Sequence, residues 1–139
     1  MGRTPGDVFR ARLTEARKAR GWSKAALARR LEEIGHPLHE TAIVRIESGK
    51  RGVTLDDSVA IAAALDVAPI HLWLPIDGDE PIALTPALEV DIEHAREWAQ
   101  GRRPLDQADS RYYAYQSPLE RVTQSWTLTT GAGQTREED

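Results

Sequence analysis

Residues 21–51 read GWSKAALARRLEEIGHPLHETAIVRIESGKR, and this segment predicts two short helices joined by a turn. Ser23 is a preferred N-cap residue, and Leu27 and Leu31 follow it one turn apart on a single helical face. This pattern predicts a helix from residue 24 to about residue 34, with its apolar face turned toward a core.

The second helix of this segment is predicted over residues 40–47. Gly35-His36-Pro37 separates it from the first helix, because glycine and proline both interrupt helical structure. Ile43 and Ile46 lie three residues apart on its apolar face. Gly49 is expected to end it, since glycine readily adopts the left-handed conformation that closes many helices.

Helical patterns also precede and follow this segment. Apolar residues at spacings of three and four predict a helix over residues 7–20. Thr54 and Asp57 form an acidic variant of the capping box, which predicts a helix through about residue 65. Pro69 opens a short fifth helix that ends before Pro75. The residues predicted to form the core are Leu27, Leu31, Ile43, Ile46, Leu55 and Leu65.

The chain beyond residue 76 shows weaker patterns. Asp77-Gly78-Asp79-Glu80-Pro81 predicts a loop. Thr85-Pro86 predicts the cap and the first residue of a helix that continues to about residue 100. No strand pattern stands out. Residues 127–139 offer little that can be buried, so they are predicted to be disordered.

Charge is distributed unevenly along the chain. Residues 1–53 contain 12 Lys or Arg against 6 Asp or Glu, a net charge of +6; residues 54–139 contain 6 against 16, a net charge of −10, and the two parts give the total of −4. A basic first part is typical of a surface that binds a polyanion. A merely solvated surface with uneven charge is the other interpretation.

The composition excludes several kinds of chemistry. The chain has no cysteine, so disulfides, thiol catalysis and cysteine-ligated metals are excluded. The spacing of its four histidines does not suggest a metal site, and no phosphate-binding glycine loop or nucleophile motif occurs. We therefore expect no catalytic residue, no metal and no cofactor. No apolar run is long enough to cross a bilayer, and a cytoplasmic location is expected.

Residues 13–74 resemble the Cro/C1-type (XRE-like) helix-turn-helix family of phage and bacterial repressors. The resemblance rests on the order and spacing of several short motifs: Leu13-x-x-Ala16-Arg17, Gly21-Trp22-Ser23, Ala26-Leu27-Ala28 and Ile43-x-Arg45-Ile46-Glu47-Ser48-Gly49-Lys50-Arg51. The turn at residues 32–38 is longer than the usual turn of the family, and it is similar to that of some actinobacterial regulators.

The resemblance implies an all-α fold. It consists of a five-helix, lambda-repressor-like DNA-binding domain, an additional C-terminal helix and a largely irregular tail. Residues 1–76 are then the helix-turn-helix domain, and residues 77–85 are a hinge loop. Residues 86–126 form a helical extension for dimerisation or partner binding, and residues 127–139 are the disordered tail.

The family's base-reading positions lie on the helix at about 40–47. Carried over to this sequence, they fall on Glu40, Thr41 and Arg45, with Val44 beside them. Arginine can bond guanine O6 and N7 together, and glutamate can accept a hydrogen bond from cytosine N4. Threonine can contact a thymine methyl group or bond as donor or acceptor, and valine can contact a thymine methyl group.

The family's phosphate-contacting positions fall at the start of one helix and after the next. They are Ser23, Lys24, Ser48, Lys50 and Arg51. Helix N-termini and basic side chains both favour phosphate. Glu47 occupies the position of a buried acid that the family pairs with an arginine of the first helix. That arginine is Arg17 here, and the pair is expected to be structural.

Apolar residues after the fourth helix predict a dimer or partner surface. The candidates are Leu72, Trp73, Leu74, Ile76 and Trp98. Packing of these residues on one another within a single chain is the other interpretation. A homodimer would bind a pseudo-palindromic site, since the symmetry of such proteins matches that of their operators.

The function that the resemblance implies is sequence-specific transcriptional regulation on double-stranded DNA. A repressor is favoured over an activator, and a phage or mobile-element regulator is one candidate. The alternative is a protein-interaction module or an antitoxin-type protein that binds a protein partner through residues 70–126. Its aromatic contacts would be Trp73, Trp98, Tyr112, Tyr113, Tyr115 and Trp126. The basic first part favours DNA, because a pure interaction module would not need it.

Overall fold

The computed structural model describes residues 2–106, which form six helices and one β-hairpin. The elements in chain order are α1 (Pro5–Ala19), α2 (Lys24–Glu33), α3 (Glu40–Glu47), α4 (Leu55–Leu65), α5 (Pro69–Trp73), β1 (Ile82–Thr85), β2 (Leu88–Val90) and α6 (Ile92–Ala99). The five helices predicted in the first 75 residues are present, and their ends lie within two residues of the predicted bounds.

Local capping accounts for where the helices begin. Ser23 accepts a hydrogen bond from the backbone N–H of Ala26 at 3.0 Å, and Thr54 forms the predicted capping box of α4 with Asp57. A second capping box joins Thr4 to Asp7, so α1 begins at Pro5, earlier than the apolar pattern predicts. These contacts satisfy backbone N–H groups that a helix leaves without an intrahelical partner.

The core lies between α1, α2, α3, α4 and α5. α1 packs against α3 and α5, and α2 packs against α3 and α4. The core residues are Phe9, Leu13, Leu27, Leu31, Leu38, Ile43, Ile46, Ile61, Ala62, Ala64, Leu65 and Leu72. The prediction that Leu55 belongs to this core is wrong, because Leu55 is 71% exposed. It shares an outward face of α4 with Val59, four residues on.

The long connection between α2 and α3, residues 34–39, is anchored to the rest of the domain. Gly35 closes α2 with a φ of +85°, and the backbone N–H of His36 donates to the carbonyl of Leu31 at 2.9 Å. Leu38 is buried in the core, and the ring of His36 bonds Asp57 of α4 at 2.8 Å. The start of α3 is therefore held in place despite the length of the turn.

The β-hairpin corrects the prediction of an all-α fold. β1 and β2 are antiparallel, with Ile82 opposite Val90, and Arg3 forms an isolated parallel bridge to Ile82. Thr85-Pro86, predicted as a helix start, lies at the hairpin turn instead, where the backbone N–H of Ala87 donates to Thr85 Oγ1 at 3.3 Å. Proline has a fixed φ and no N–H, so it suits a turn as well as the first turn of a helix.

The hairpin also changes the boundaries predicted for the second half of the chain. β1 lies within the predicted hinge loop of residues 77–85, and the helix predicted to start at Pro86 starts at Ile92. The first of two compact units ends at Ile92, and the predicted limit of the helix-turn-helix domain at residue 76 stays a prediction. The predicted tail, and residues 107–126 of the predicted extension, lie outside the described residues. The roles assigned to these segments stay predictions.

Candidate nucleic-acid interface

α3 has one buried face and one exposed face. Ile43 and Ile46 are 0% exposed in the core, which turns the other side of the helix outward. The four predicted base-reading residues are all exposed: Glu40, Thr41, Val44 and Arg45. Val44 is 41% exposed although it is apolar. The surface of α3 therefore combines an acid, a hydroxyl, a branched apolar group and a guanidinium within two helical turns.

His39 is the N-cap of α3. Its Nδ1 atom accepts a hydrogen bond from the backbone N–H of Thr41 at 3.2 Å and lies 3.0 Å from Thr41 Oγ1. The sequence does not single out His39, because histidine is not among the usual N-cap residues. The one feature of the sequence that indicates a cap at His39 is its position directly before the predicted start of the helix at Glu40.

The loop after α3 folds back over the carbonyl oxygen of Arg45. That oxygen accepts hydrogen bonds from the backbone N–H groups of Lys50 at 2.9 Å and Arg51 at 3.1 Å, and from the Ser48 hydroxyl at 3.2 Å. The Ser48 hydroxyl hydrogen is thus used within the loop, so it would have to rotate to donate to a phosphate. The Lys50 side chain is exposed beside it.

The start of α2 brings two more predicted phosphate contacts close to α3. Ser23 Oγ accepts the capping bond of α2, which leaves its own hydrogen to be donated. Lys24 Nζ lies 3.6 Å from Glu47 Oε2 at the end of α3. The structure therefore places the ammonium group of Lys24, at the start of α2, beside the last residue of α3.

Arg17 and Glu47 form the buried pair that the resemblance implies. Arg17 Nε donates to Glu47 Oε1 at 2.8 Å, and Arg17 Nη2 donates to Glu47 Oε2 at 3.2 Å. Arg17 Nη1 also donates to the carbonyl of Trp22 at 2.8 Å. The two side chains are only 9% and 8% exposed. The pair joins α1 to the end of α3 and so helps set the orientation of that helix.

Asp57 joins the long turn, α4 and the loop after α3. His36 Nε2 bonds Asp57 Oδ1 at 2.8 Å, the backbone N–H of Thr54 donates to Oδ2 at 3.2 Å, and Arg51 Nη2 lies 3.7 Å from the same oxygen. Burial raises the pKa of the Asp57 carboxyl, but the bonds from His36 and Thr54 and the charge of Arg51 outweigh it, so its pKa lies below the ordinary value. The sequence predicts only the Thr54 contact, because the others span distant segments.

The structure corrects part of the predicted dimer or partner surface. Leu72 and Leu74 are 0% and 4% exposed, and Trp73 packs against the core with its Nε1 donating to Ser58 Oγ at 2.7 Å. These residues pack within one chain, because the short α5 turns its apolar side onto α1 and α4. Ile76 and Trp98 are exposed at 47% and 38%. Tyr112, Tyr113, Tyr115 and Trp126 lie outside the described residues.

Residues 2–106 offer neither a metal-binding group of side chains nor a membrane-spanning helix. Within this part of the chain, no three His, Cys, Asp or Glu side chains group in a way that suits a metal ion. No helix there combines the length and the apolar character that crossing a membrane requires.

Comparison with known proteins matches part of the chain that includes α2 and α3. The model of a helix-turn-helix family matches residues 13–72, which run from within α1 to within α5. No curated protein and no solved structure matches the chain. The match includes α2, α3 and the long turn between them.

Proposed function

Residues 13–72 make this chain a member of the Cro/C1-type helix-turn-helix family, a family of DNA-binding transcription regulators, and from this premise we propose that the protein is a sequence-specific repressor. α3 enters the major groove of double-stranded DNA and reads bases through Glu40, Thr41, Val44 and Arg45. Ser23, Lys24, Ser48, Lys50 and Arg51 hold the flanking phosphates. Binding over a promoter then blocks transcription.

The observation that supports this proposal best is that the charged groups on the outer face of α3 are exposed and, within the described part of the chain, unpaired. The guanidinium of Arg45 and the carboxylate of Glu40 are exposed, and neither has a hydrogen-bond or ion-pair partner among residues 2–106. Arg30 of α2 is also exposed, but it pairs with Glu33 at 3.3 Å. A helix in the major groove reaches base edges with side chains of its first turns, and Arg45 and Glu40 are free to make such contacts.

A second supporting observation is that α3 is attached to the rest of the domain along its inner face and at its end. Ile43 and Ile46 fix the inner face of α3 in the core, and the buried Arg17–Glu47 pair fixes its end. Base readout needs side chains held in a defined register, because hydrogen bonds weaken steeply with misalignment. The exposed face of α3 meets this requirement.

Selection of bound duplexes from a random DNA pool tests the proposal. We expect the wild type to enrich a motif that contains a G·C pair, because Arg45 suits guanine and Glu40 suits cytosine. Glu40→Ala/Arg45→Ala should relax the motif at those positions. The control is Arg30→Ala/Glu33→Ala, which removes an exposed charge pair from α2 and should keep the motif. Folded wild-type protein that enriches no motif at about 100 mM salt would contradict sequence-specific binding.

Repression is tested separately from binding. A reporter gene is placed under a promoter that contains the enriched motif, and its output is compared with and without the protein. Lower output with the wild type and unchanged output with Glu40→Ala/Arg45→Ala support a repressor. Raised output with the wild type contradicts it and indicates an activator.

A homodimer on a two-fold symmetric site remains part of the proposal. Half-site centres about 10 bp or a multiple of this apart are expected, since each half of a dimer meets the same face of the duplex. Sedimentation of the protein at tens of micromolar, with and without DNA, tests this point. A monomer under both conditions contradicts the dimer and leaves the proposal of DNA binding intact.

A further inference from the structure

The imidazole of His39 has a defined tautomer. The backbone N–H of Thr41 donates to Nδ1 at 3.2 Å, as part of the cap of α3. A nitrogen that accepts a hydrogen bond carries no hydrogen, so the ring hydrogen is on Nε2. Nε2 lies on the opposite side of the ring from the helix end. It has no partner among residues 2–106, and His39 is exposed.

This tautomer determines how the Thr41 hydroxyl can bond. Thr41 Oγ1 lies 3.0 Å from His39 Nδ1. Nδ1 offers one lone pair, which already accepts from the backbone N–H of Thr41. The hydroxyl can bond Nδ1 only by donating its hydrogen to that same lone pair, as a second, shared hydrogen bond. A hydroxyl has a single hydrogen, so the outward side of Thr41 Oγ1 presents lone pairs alone. An unassisted threonine bonds as donor or acceptor, whereas this one is restricted to accepting.

We propose that His39 is a specificity-determining residue, which makes Thr41 an acceptor for base amino groups and itself presents Nε2–H as a donor. The proposal rests on the proposed function. In the major groove the amino groups are adenine N6 and cytosine N4, while thymine O4 and guanine O6 are acceptors. Thr41 therefore favours adenine or cytosine at the base it meets and disfavours thymine and guanine. His39 Nε2–H bonds an acceptor nearby, either a base atom or a phosphate oxygen.

The test begins with the motif that the wild type enriches from a random duplex pool. The base read by Thr41 is identified as the position whose preference is lost in Thr41→Val, which keeps the shape of the side chain and its backbone N–H but removes the hydroxyl. We expect adenine or cytosine there in the wild-type motif. Guanine or thymine at that position, or no position that changes, would overturn the proposal.

Base analogues then test the direction of the hydrogen bond. Purine in place of adenine, or 2-pyrimidinone in place of cytosine, removes only the amino group. Wild-type binding should weaken about fivefold, the size expected for one hydrogen bond. Thr41→Val should bind the normal and substituted duplexes equally. Equal weakening of both proteins would overturn the proposal, because the loss would then come from the duplex.

Two variants of His39 separate capping from specificity. His39→Ala frees the Thr41 hydroxyl to donate, so thymine or guanine should become acceptable at that position. His39→Asn supplies a side-chain carbonyl that can accept both bonds, so the preference for an amino group should be kept. An unchanged preference in folded His39→Ala would overturn the proposal. If His39→Ala does not fold, the analogue comparison with Thr41→Val decides.

The result also separates this proposal from the function on which it rests. A wild type that enriches no motif contradicts sequence-specific binding and removes both. A wild type that enriches a motif unaffected by Thr41→Val and His39→Ala supports sequence-specific DNA binding and overturns the role of His39 alone.

Discussion

The carboxylate of Glu47 lies between cations of two helices. Arg17 of α1 holds it with two hydrogen bonds, and Lys24 Nζ of α2 lies 3.6 Å away. Burying such a pair removes the hydration of both charges, and their mutual attraction offsets this loss only while both partners are present. Loss of one partner should therefore harm the fold far more than loss of an exposed pair.

We expect Glu47→Gln to lower the free energy of unfolding by about 3 kcal/mol, because it leaves the buried Arg17 guanidinium without an opposite charge in direct contact. The matched control is Glu33→Gln, whose pair with Arg30 is exposed and should be worth about 0.5 kcal/mol or less. Urea denaturation followed by circular dichroism measures both. Equal effects of the two changes would show that the Arg17–Glu47 pair does not stabilise the fold as a buried pair.

Asp57 provides a prediction about pH. The pKa of its carboxyl is below the ordinary value in the folded protein, so the ionised form stabilises the fold above about pH 4 and this stabilisation is lost as the pH falls through the folded pKa. Asp57→Asn should thus be less stable than the wild type at pH 5, and the difference should shrink toward pH 3. The neighbouring exposed Asp56→Asn serves as control. A difference for Asp57→Asn that stays constant from pH 5 to pH 3 contradicts this role.

At the scale of elements, the position of the loop after α3 depends on the left-handed backbone conformation of Gly49. Gly49 has a φ of +76°, and a Cβ atom there would lie 3.3 Å from the guanidinium carbon of Arg10. Left-handed backbone is unfavourable for residues with a Cβ. The three bonds to the Arg45 carbonyl depend on this turn, and so do the positions of Lys50 and Arg51.

We expect Gly49→Ala to lower the free energy of unfolding by about 1–2 kcal/mol through left-handed strain. Gly52→Ala is the matched control in the same loop. A Cβ atom at Gly52 meets nothing within 4 Å, and its φ is not in the left-handed region, so the change should be neutral or slightly stabilising. Thermal unfolding of the two variants beside the wild type gives the comparison. A neutral Gly49→Ala would show that the loop can rearrange without cost.

At the scale of the whole molecule, charge separates the two parts of the sequence. The net charge of +6 over residues 1–53 contrasts with −10 over residues 54–139. DNA binding releases counterions in proportion to the phosphates neutralised, so affinity should fall steeply with salt. The acidic part should not contribute to that dependence, because it repels phosphate.

Lys50→Ala should therefore reduce the slope of log K against log salt concentration by about 1, since one phosphate contact is lost. Lys18→Ala removes the same charge from an exposed position of α1 outside the predicted contacts, and it should leave the slope unchanged. Fluorescence anisotropy on the enriched duplex at several salt concentrations measures both slopes. Equal reductions in the two variants would mean that Lys50 acts through net charge and not through a phosphate contact.

The sequence is sufficient to predict the helices of the first 75 residues and the face of α3 that is exposed. Caps such as Ser23 and Thr54 and the spacing of Ile43 and Ile46 act within about one helical turn, so a local pattern contains the information. The Arg17–Glu47 pair was accessible only through the resemblance to a family, because its partners are 30 residues apart.

Other features depend on contacts between segments far apart in the chain, and local pattern does not contain them. The sequence Thr85-Pro86 is compatible with a helix start and with a turn. In the structure it lies at a turn, and Ile82 before it pairs with Val90 and with Arg3. Leu72 and Leu74 were predicted to form part of a dimer or partner surface, but both are buried where α5 packs on α1. The network of His36, Asp57 and Arg51 likewise forms only when α4 packs beside the long turn, since hydrogen bonds and burial depend on distance in space and not on separation along the chain.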